Sequence, residues 1–430
     1  MEQRLAIQDR TSFLFLTPSA QLDSQMGRFR AAIYGLRSKQ DVSIFILHPK
    51  GRVSPIQEAQ MTTVMDDNVF NLAVEGTFDD CQDIVKALFS DAKFNAQYRL
   101  GAINSINWAR ILAQIVYYFS SYFSLKRQLP ADQKQNARLQ YAVPTGNFGD
   151  ILAGYYAKRL GLPMEKLVVA TNANDILTRF WKTGRYEKAD SSATEGGNAQ
   201  TEVAAGSSDG AQAVGGSGAV AETLSPAMDI LVSSNFERLL WYLAFEACTT
   251  NATIEDGEVD GGQAAKNRLA CKTVKSWMDS LKQTGRVVVP SEAVQVARRD
   301  FLAERASDEQ TSETIRQYYD RPDQYVADPH TAVGLNVANR LSNLNDRTDV
   351  VQVVLATAHP AKFNAAVSQA LSSIPSFSFE RDIMPSEFDG LLERERRVID
   401  VKGTEEAVKE VVAREVGKLR SPKGENGVSL

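Results

Sequence analysis

Cysteine is scarce in these 430 residues. Cys81, Cys248 and Cys271 are widely spaced and odd in number, which excludes a disulfide framework and a cysteine-based zinc pattern and fits a reducing cytosol. Histidine is as sparse: His48, His330 and His359 stand apart, without the i, i+4 pairing of a metal site, so no metal is expected. There is no excess of positive charge. A formal net charge of -5 speaks against a nucleic-acid partner, because binding a polyanion needs a concentrated basic face. A small anionic substrate needs only a few local cations and stays compatible.

No uninterrupted apolar run is present either. The most apolar stretch, Ile106 to Phe123, is broken by Asn107, Arg110 and Gln114, whereas a membrane span needs about 20 apolar residues. It reads as a buried helix, and no membrane association is expected. The first residues carry an apolar patch at Phe13 to Leu16, but Glu2 and Asp9 interrupt the basic region of a signal peptide. No targeting is inferred, and the expected location is cytoplasmic.

The 43% hydrophobic and 23% charged residues suit a globular protein of two or three domains. Strand and helix patterns alternate. DVSIFILHP (41–49) and NVFNLAVEG (68–76) read as strands, and TFDDCQDIVKALFSD (77–91) as a helix with Thr77 as N-cap and Asp80 at the capping-box position. A helix is also expected around Ala31 to Arg37. LQYAVP, TGNFGD and ILAGYYAKRLGLP repeat the strand, turn, helix order, with Gly161 and Pro163 as stop signals, and VVQVVLATA followed by HPAKFNAAVSQAL repeats it again. NFERLLWYLAFEAC, AVQVARRDFLAERA and GTEEAVKEVVAREVGKLR read as helices. Such alternation predicts an α/β fold with a parallel sheet covered by helices on both faces. Residues 188–223 turn to Gly, Ala, Ser, Glu and Gln and read as a disordered insertion, because they offer too little apolar surface to offset ordering entropy. Residues 421–430 read as a tail.

Three segments could carry chemistry. YAVPTGNFGD (141–150) sets two glycines between a strand and a helix, where free N–H groups and the helix dipole can hold a phosphate, though a tight turn without a ligand has the same pattern. NSINWAR places Asn104, Ser105 and Asn107 before a helix carrying Arg110, a set of donors suited to a phosphate ester; simple capping would use the same residues. In LATAHPAKF, Thr357 lies where a strand gives way to a helix, so its hydroxyl could meet a ligand at the carboxyl edge of a sheet or only satisfy local backbone. His359 reads as structural.

Together VPTGNFGDILAGYYAKRLGLP, NSINWARILAQIVYYF, GRVSPIQEAQM, EGTFDDCQDIVKALF and DPHTAVG resemble the longer class of threonine synthases, from about Ala31 onward. The resemblance implies fold type II of the pyridoxal-phosphate enzymes, shared with the tryptophan synthase β subunit. It also implies conversion of O-phospho-L-homoserine and water to L-threonine and phosphate, with pyridoxal 5'-phosphate (PLP) as cofactor. It assigns Gly146, Asn147, Phe148, Gly149 and Asp150 to the cofactor phosphate, Thr357 to the pyridine nitrogen, and Asn104, Ser105 and Arg110 to the substrate phosphate. A tryptophan synthase or threonine dehydratase needs no substrate-phosphate site, so NSINWAR disfavours both.

The family's Schiff-base lysine lies in a motif resembling T-x-A-F-K-D, upstream of a G-A-T-S-G-D-T-G turn. Here AAIYGLR is reached from SQMGRFR, and nothing before it resembles either motif. No catalytic residue is therefore assigned; Lys39 and Lys50 lie downstream of the catalytic position and read as structural or solvated. The expectation is a chain without the family's N-terminal domain, organised as a non-family segment 1–30, an α/β core region 31–187 with the phosphate loop, the insertion 188–223, the rest of the core 224–420, and the tail. Two alternatives stand beside an enzyme: a noncatalytic PLP- or phosphate-binding protein of the same fold, and a coding region delimited too short.

Overall fold

The computed structural model describes residues 13–18, 33, 35–53, 55–102, 107–131, 137–188, 220–247, 262–344 and 349–420. The strands are β1 (Phe13–Pro18), β2 (Val42–Pro49), β3 (Val69–Val74), β4 (Gly101–Ala102), β5 (Arg138–Pro144), β6 (Leu167–Thr171), β7 (Arg185–Glu187), β8 (Arg286–Val288), β9 (Phe301–Arg305), β10 (Val350–Val354) and β11 (Ile399–Val401). The α-helices are α1 (Pro55–Thr62), α2 (Phe78–Ser90), α3 (Ala92–Tyr98), α4 (Trp108–Gln128), α5 (Gly149–Arg159), α6 (Ile176–Thr183) and α7 (Phe236–Ala247). They continue as α8 (Gln263–Thr284), α9 (Ser291–Asp300), α10 (Asp308–Tyr319), α11 (Pro329–Leu344), α12 (Asn364–Ala370), α13 (Phe379–Asp382) and α14 (Glu405–Arg420).

The parallel sheet of the sequence reading is divided in two. A five-stranded sheet runs β11-β3-β2-β1-β4 and a four-stranded sheet β10-β5-β6-β9, each with parallel pairing throughout; β7 and β8 form a small antiparallel ribbon. In β2, β3, β5 and β6 nearly every residue is buried, so these strands are covered on both faces, as parallel strands under helices are. In the second sheet the period-two alternation is explicit. Leu139, Tyr141, Val143, Leu167 and Val169 join the large core built with α4, α5, α7 and α9, while Ala142, Val168 and Ala170 face Val333 and Val337 of α11. In the first sheet, Phe45, Leu47, Phe70 and Leu72 pack toward α2 and α14, and Ile44, Ile46 and Val69 toward Met61 of α1.

Several expectations are corrected. Residues 13–18, inside the segment read as 1–30, form β1, the fourth strand of the first sheet, paired to β2 on one side and to the two-residue edge strand β4 on the other. AVQVARRDFLAERA is not helical throughout: α9 ends at Asp300, and Phe301–Arg305 pairs with Leu167–Thr171 of β6. Its local pattern suits a helix, and long-range pairing overrides it. The helix over the Ile106 to Phe123 stretch is buried on one face only. Ile111, Ile115, Tyr118 and Tyr122 face inward, whereas Trp108, Leu112, Val116 and Phe123 are exposed. The helix expected after VVQVVLATA opens with a 3-10 turn, Pro360–Phe363, before α12. Residues 33, 35 and 36 of the helix expected at 31–37 are helical, and the rest of the insertion lies outside the described residues apart from Lys188 and 220–223. Two of these last four are held: the Asn174 side chain accepts from the Ala221 N–H, and the Thr223 N–H donates to Asp229.

Candidate functional site

The loops that follow β5, β6 and β10 leave the carboxyl edge of one parallel sheet, where open α/β folds place ligands. After β5 the chain turns through Thr145 to Phe148 into α5. Thr145 continues the ladder, its N–H donating to the Ala170 carbonyl at 2.7 Å. The carbonyls beyond it are taken from outside. Ser233 Oγ donates to the Gly146 carbonyl at 2.8 Å, and both the backbone N–H and the side-chain amide of Asn235 donate to the Asn147 carbonyl, at 3.1 and 2.9 Å. Among the described residues, the N–H groups of Gly146, Asn147, Phe148 and Gly149 find no acceptor. The turn therefore has its acceptors satisfied and its donors free, at the positive end of a helix.

Phe148 holds this shape. It sits at the start of α5 in the left-handed region, φ 63°, with no side-chain cap. That conformation costs a non-glycine residue about 1–2 kcal/mol. The ring is buried against Phe236 edge-on at 5.1 Å and stacked with Trp181 at 6.0 Å. Burying a phenylalanine contributes about 1.5–3 kcal/mol, and aromatic contacts add about 0.5–1.5. Packing therefore outweighs the backbone cost, and the turn is anchored by its own side chain. Gly146 is required by closeness: a Cβ there would lie 2.8 Å from the Ala227 carbonyl oxygen and 3.1 Å from the Met228 Cα.

After β10, the N–H of Thr357 donates to Thr331 Oγ1 at 3.1 Å, while its own hydroxyl oxygen is buried with no partner among the described residues. Thr331 in turn donates to Asp328 Oδ2, and Asp328 Oδ1 accepts from His330 Nδ1 at 3.0 Å. His330 Nε2 accepts from the N–H of Ala227 at 3.1 Å. The turn after β5 and the threonine after β10 are thus tied into one site through Ala227, His330, Asp328 and Thr331. Burial pushes the nearby Asp229 carboxyl up, against the pull of hydrogen bonds from Thr223 and Asn172. Burial likewise raises the Tyr186 hydroxyl, which accepts the Ser233 N–H at 2.8 Å and so fixes the segment bonding Gly146.

Arg110 lies in the first turn of α4, behind an N-cap made by Asn107. Trp108 meets Tyr156 edge-on at 5.2 Å, and the Tyr118 hydroxyl donates to the Asp150 carbonyl at 2.9 Å, so α4 and α5 run antiparallel. Eight residues separate Arg110 from Tyr118, about 12 Å along the helix. The structure thus sets Arg110 toward the far end of α5 from its free amides, and Asn104 and Ser105 lie outside the described residues. Lys50 is ion-paired with Asp400 at 2.9 Å, Lys39 is exposed at a turn, and His359 uses Nδ1 to accept from the Ala361 N–H at 3.2 Å.

Sequence reading missed Ser233, Asn235, Ala227 and the roles of Asp328 and His330. DPHTAVG was visible as a motif, and its signal was a buried-type acid and histidine opening a helix; their partners lie too far along the chain to be foreseen.

The family model "Threonine synthase, C-terminal" matches residues 331–412. A threonine synthase from Schizosaccharomyces pombe is 51% identical over 369 residues, 86% of this chain and 65% of that protein. The crystal structure of threonine synthase from yeast superposes with a TM-score of 0.77 at 43% identity, covering 97% of this chain and 72% of that one. The chain belongs to the threonine synthase family. A PLP-bound threonine synthase from Brucella melitensis, 36% identical, superposes with a TM-score of 0.69 over 94% of this chain and 70% of its own. These neighbours give the family fold, type II of the PLP enzymes, to the two-sheet architecture described above. The chain spans just under two thirds of the Schizosaccharomyces pombe threonine synthase. The residues present fit a PLP group: four free amides at a helix start, a glycine under a close backbone, and an orphaned buried hydroxyl.

Proposed function

We propose that the chain supplies the cofactor site and the substrate-phosphate region of a PLP-dependent threonine synthase, which converts O-phospho-L-homoserine and water to L-threonine and phosphate. The observation that carries this reading is the pairing of four unused amides at 146–149 with the orphaned Thr357 hydroxyl, two unlike hydrogen-bonding ends joined by one polar chain. When bound, PLP supplies an electron sink for negative charge developing on the substrate. The chain's own part is binding and orientation. The amides of Gly146, Asn147, Phe148 and Gly149 would donate to the cofactor phosphate, with Asp150 bordering them in the first turn of α5. Thr357 would meet the pyridine nitrogen as a neutral partner. Asn104, Ser105 and Arg110 would take the substrate phosphate, as the family resemblance implies, with Arg110 set toward the other end of α5 from the free amides. Free thiols at Cys81 and Cys271 suit a cytoplasmic, reducing setting.

A second reading is a PLP- or phosphate-binding protein of the same fold that does not turn over. What favours it is that every contact described at the site binds or orients: the turn's carbonyls held by Ser233 and Asn235, and the Thr357 N–H held by Thr331.

Titration with PLP tests both. Trp181 stacks on Phe148, so ligand uptake at the turn should change tryptophan fluorescence. The expected result is saturable binding, abolished by Gly146→Ala because the added Cβ collides with backbone rather than a movable side chain. A wild-type chain showing no change in fluorescence or absorbance up to millimolar PLP would sink the reading.

A further inference from the structure

The polar chain between the turn and Thr357 does more than cap a helix. Asp328 does cap α11: its Oδ1 accepts the N–H groups of His330 at 2.9 Å and Thr331 at 3.4 Å, with Pro329 at the first helical position. Capping needs nothing further. Yet Asp328, His330 and Thr331 are all buried, and a buried acid beside a buried imidazole is costly unless each polar atom is satisfied. Here every side-chain role is forced. Ala227 can only donate, so His330 Nε2 is the acceptor and the proton sits on Nδ1, facing Asp328. Thr357 N–H can only donate, so Thr331 Oγ1 accepts it and spends its own hydrogen on Asp328. Both ends of the chain terminate on backbone N–H groups of the site, 103 residues apart for Ala227 and His330, and 26 for Thr331 and Thr357.

The element carrying this chain is itself pinned. A Cβ at Gly334, one turn beyond His330, would lie 3.0 Å from both Pro144 and Val354, the last residues of β5 and β10. Helix α11 therefore rests directly on the strand ends from which both halves of the site leave. The turn at Pro226–Met228 is tethered on its other side by Asp229, which takes the Asn172 and Thr223 side chains at 2.7 Å each.

We propose that Asp328, His330 and Thr331 are positioning residues for the cofactor site, His330 setting the Ala227–Met228 backbone over Gly146 at the phosphate end and Thr331 setting Thr357 at the ring end. This rests on reading the site as one for PLP. Asp328 is the shared anchor, so the two ends keep one spacing, which a rigid ligand with a phosphate at one side and a ring nitrogen at the other requires.

The test separates the two ends with three probes: inorganic phosphate, pyridoxal, and PLP itself, with binding followed by tryptophan fluorescence and phosphorus NMR. His330→Asn keeps a donor toward Asp328 but loses the acceptor for Ala227. It should weaken phosphate and PLP about ten-fold, the scale of one lost hydrogen bond beside a charge, and leave pyridoxal unchanged. His330→Gln, whose amide oxygen reaches the Nε2 position, should recover most of that loss. Thr331→Val should weaken pyridoxal and PLP about ten-fold and leave phosphate unchanged, with Thr331→Ser close to wild type. A merely structural role lowers the melting temperature and moves all three probes together. That outcome, or no change in any probe, overturns the proposal. If His330→Asn does not fold, the Thr331→Val and Thr331→Ser pair decides by the same split. A wild-type chain that takes up neither phosphate nor PLP instead overturns the reading of the site, and the proposal with it.

Discussion

The ring of Tyr118 occupies the space a side chain at Gly154 would need: a Cβ there would lie 2.6 Å from Cε1 of the tyrosine. The contact lets α4 lie directly on α5, and the Tyr118 hydroxyl then reaches the Asp150 carbonyl at the start of α5. Gly154→Ala must push the two helices apart. Overpacking of this kind costs about 1–3 kcal/mol, so the urea midpoint should fall accordingly. In a Tyr118→Leu background the same substitution should cost clearly less. Equal losses in both backgrounds would mean the contact is not the cause.

His48 lies on the same face of β2 as Ile44 and Ile46, fully buried, and among the described residues neither ring nitrogen makes a well-formed hydrogen bond. Burial lowers its pKa below the ordinary 6.5, against the opposing pull of Glu58, the Pro49 backbone and Asp400. The folded state therefore binds fewer protons than the unfolded chain below about pH 6.5, so stability present at neutral pH is lost as pH falls through that region toward the folded value. Asp91, held down to about 2 by Lys409 and by its backbone bonds, has its window lower, below the ordinary 3.8. Urea denaturation between pH 7 and 5 should show a loss that His48→Leu flattens. A parallel loss in both proteins would assign the effect to other groups.

Cys81 and Cys271 should differ in reactivity by orders of magnitude. Burial pushes the Cys81 thiol up to about 12, with Asp80 adding to it, whereas Cys271 is exposed and accepts a hydrogen bond from Trp241. The thiolate is the reacting form, so brief iodoacetamide treatment of the native protein at pH 7.5 should label Cys271 and spare Cys81 until denaturant is added. Early modification of Cys81 in peptide maps would mean that α2 opens readily from the first sheet.

A polypeptide of these 430 residues, given excess PLP and O-phospho-L-homoserine, should release no phosphate above a protein-free control even where it binds PLP. None of its lysines lies in a motif resembling T-x-A-F-K-D, and a positioned base typically contributes about 10²- to 10⁴-fold. Steady release would show that one of its lysines reaches the cofactor, with Lys39 and Lys50 the first to replace.

Local chemistry was legible from the sequence because its partners are neighbours in the chain. Thr77 and Asp80, three residues apart, form the capping box that TFDD announces, and Gly161 takes the left-handed turn that ends α5. Motif resemblance likewise pointed to Gly146–Asp150 and Thr357, which leave the carboxyl edge of one sheet. Tertiary structure decided what depends on distant contacts. Phe301–Arg305 is a strand because β6 offers it a ladder, and FLFLTP is one because β2 and β4 flank it. The free donors of the turn exist because Ser233 and Asn235, 87 and 88 residues further on, take its carbonyls instead. His330 looked solitary in the sequence; only folding brings Ala227, 103 residues away, to one nitrogen while Asp328 takes the other, because no spacing or local pattern relates segments so far apart in the chain.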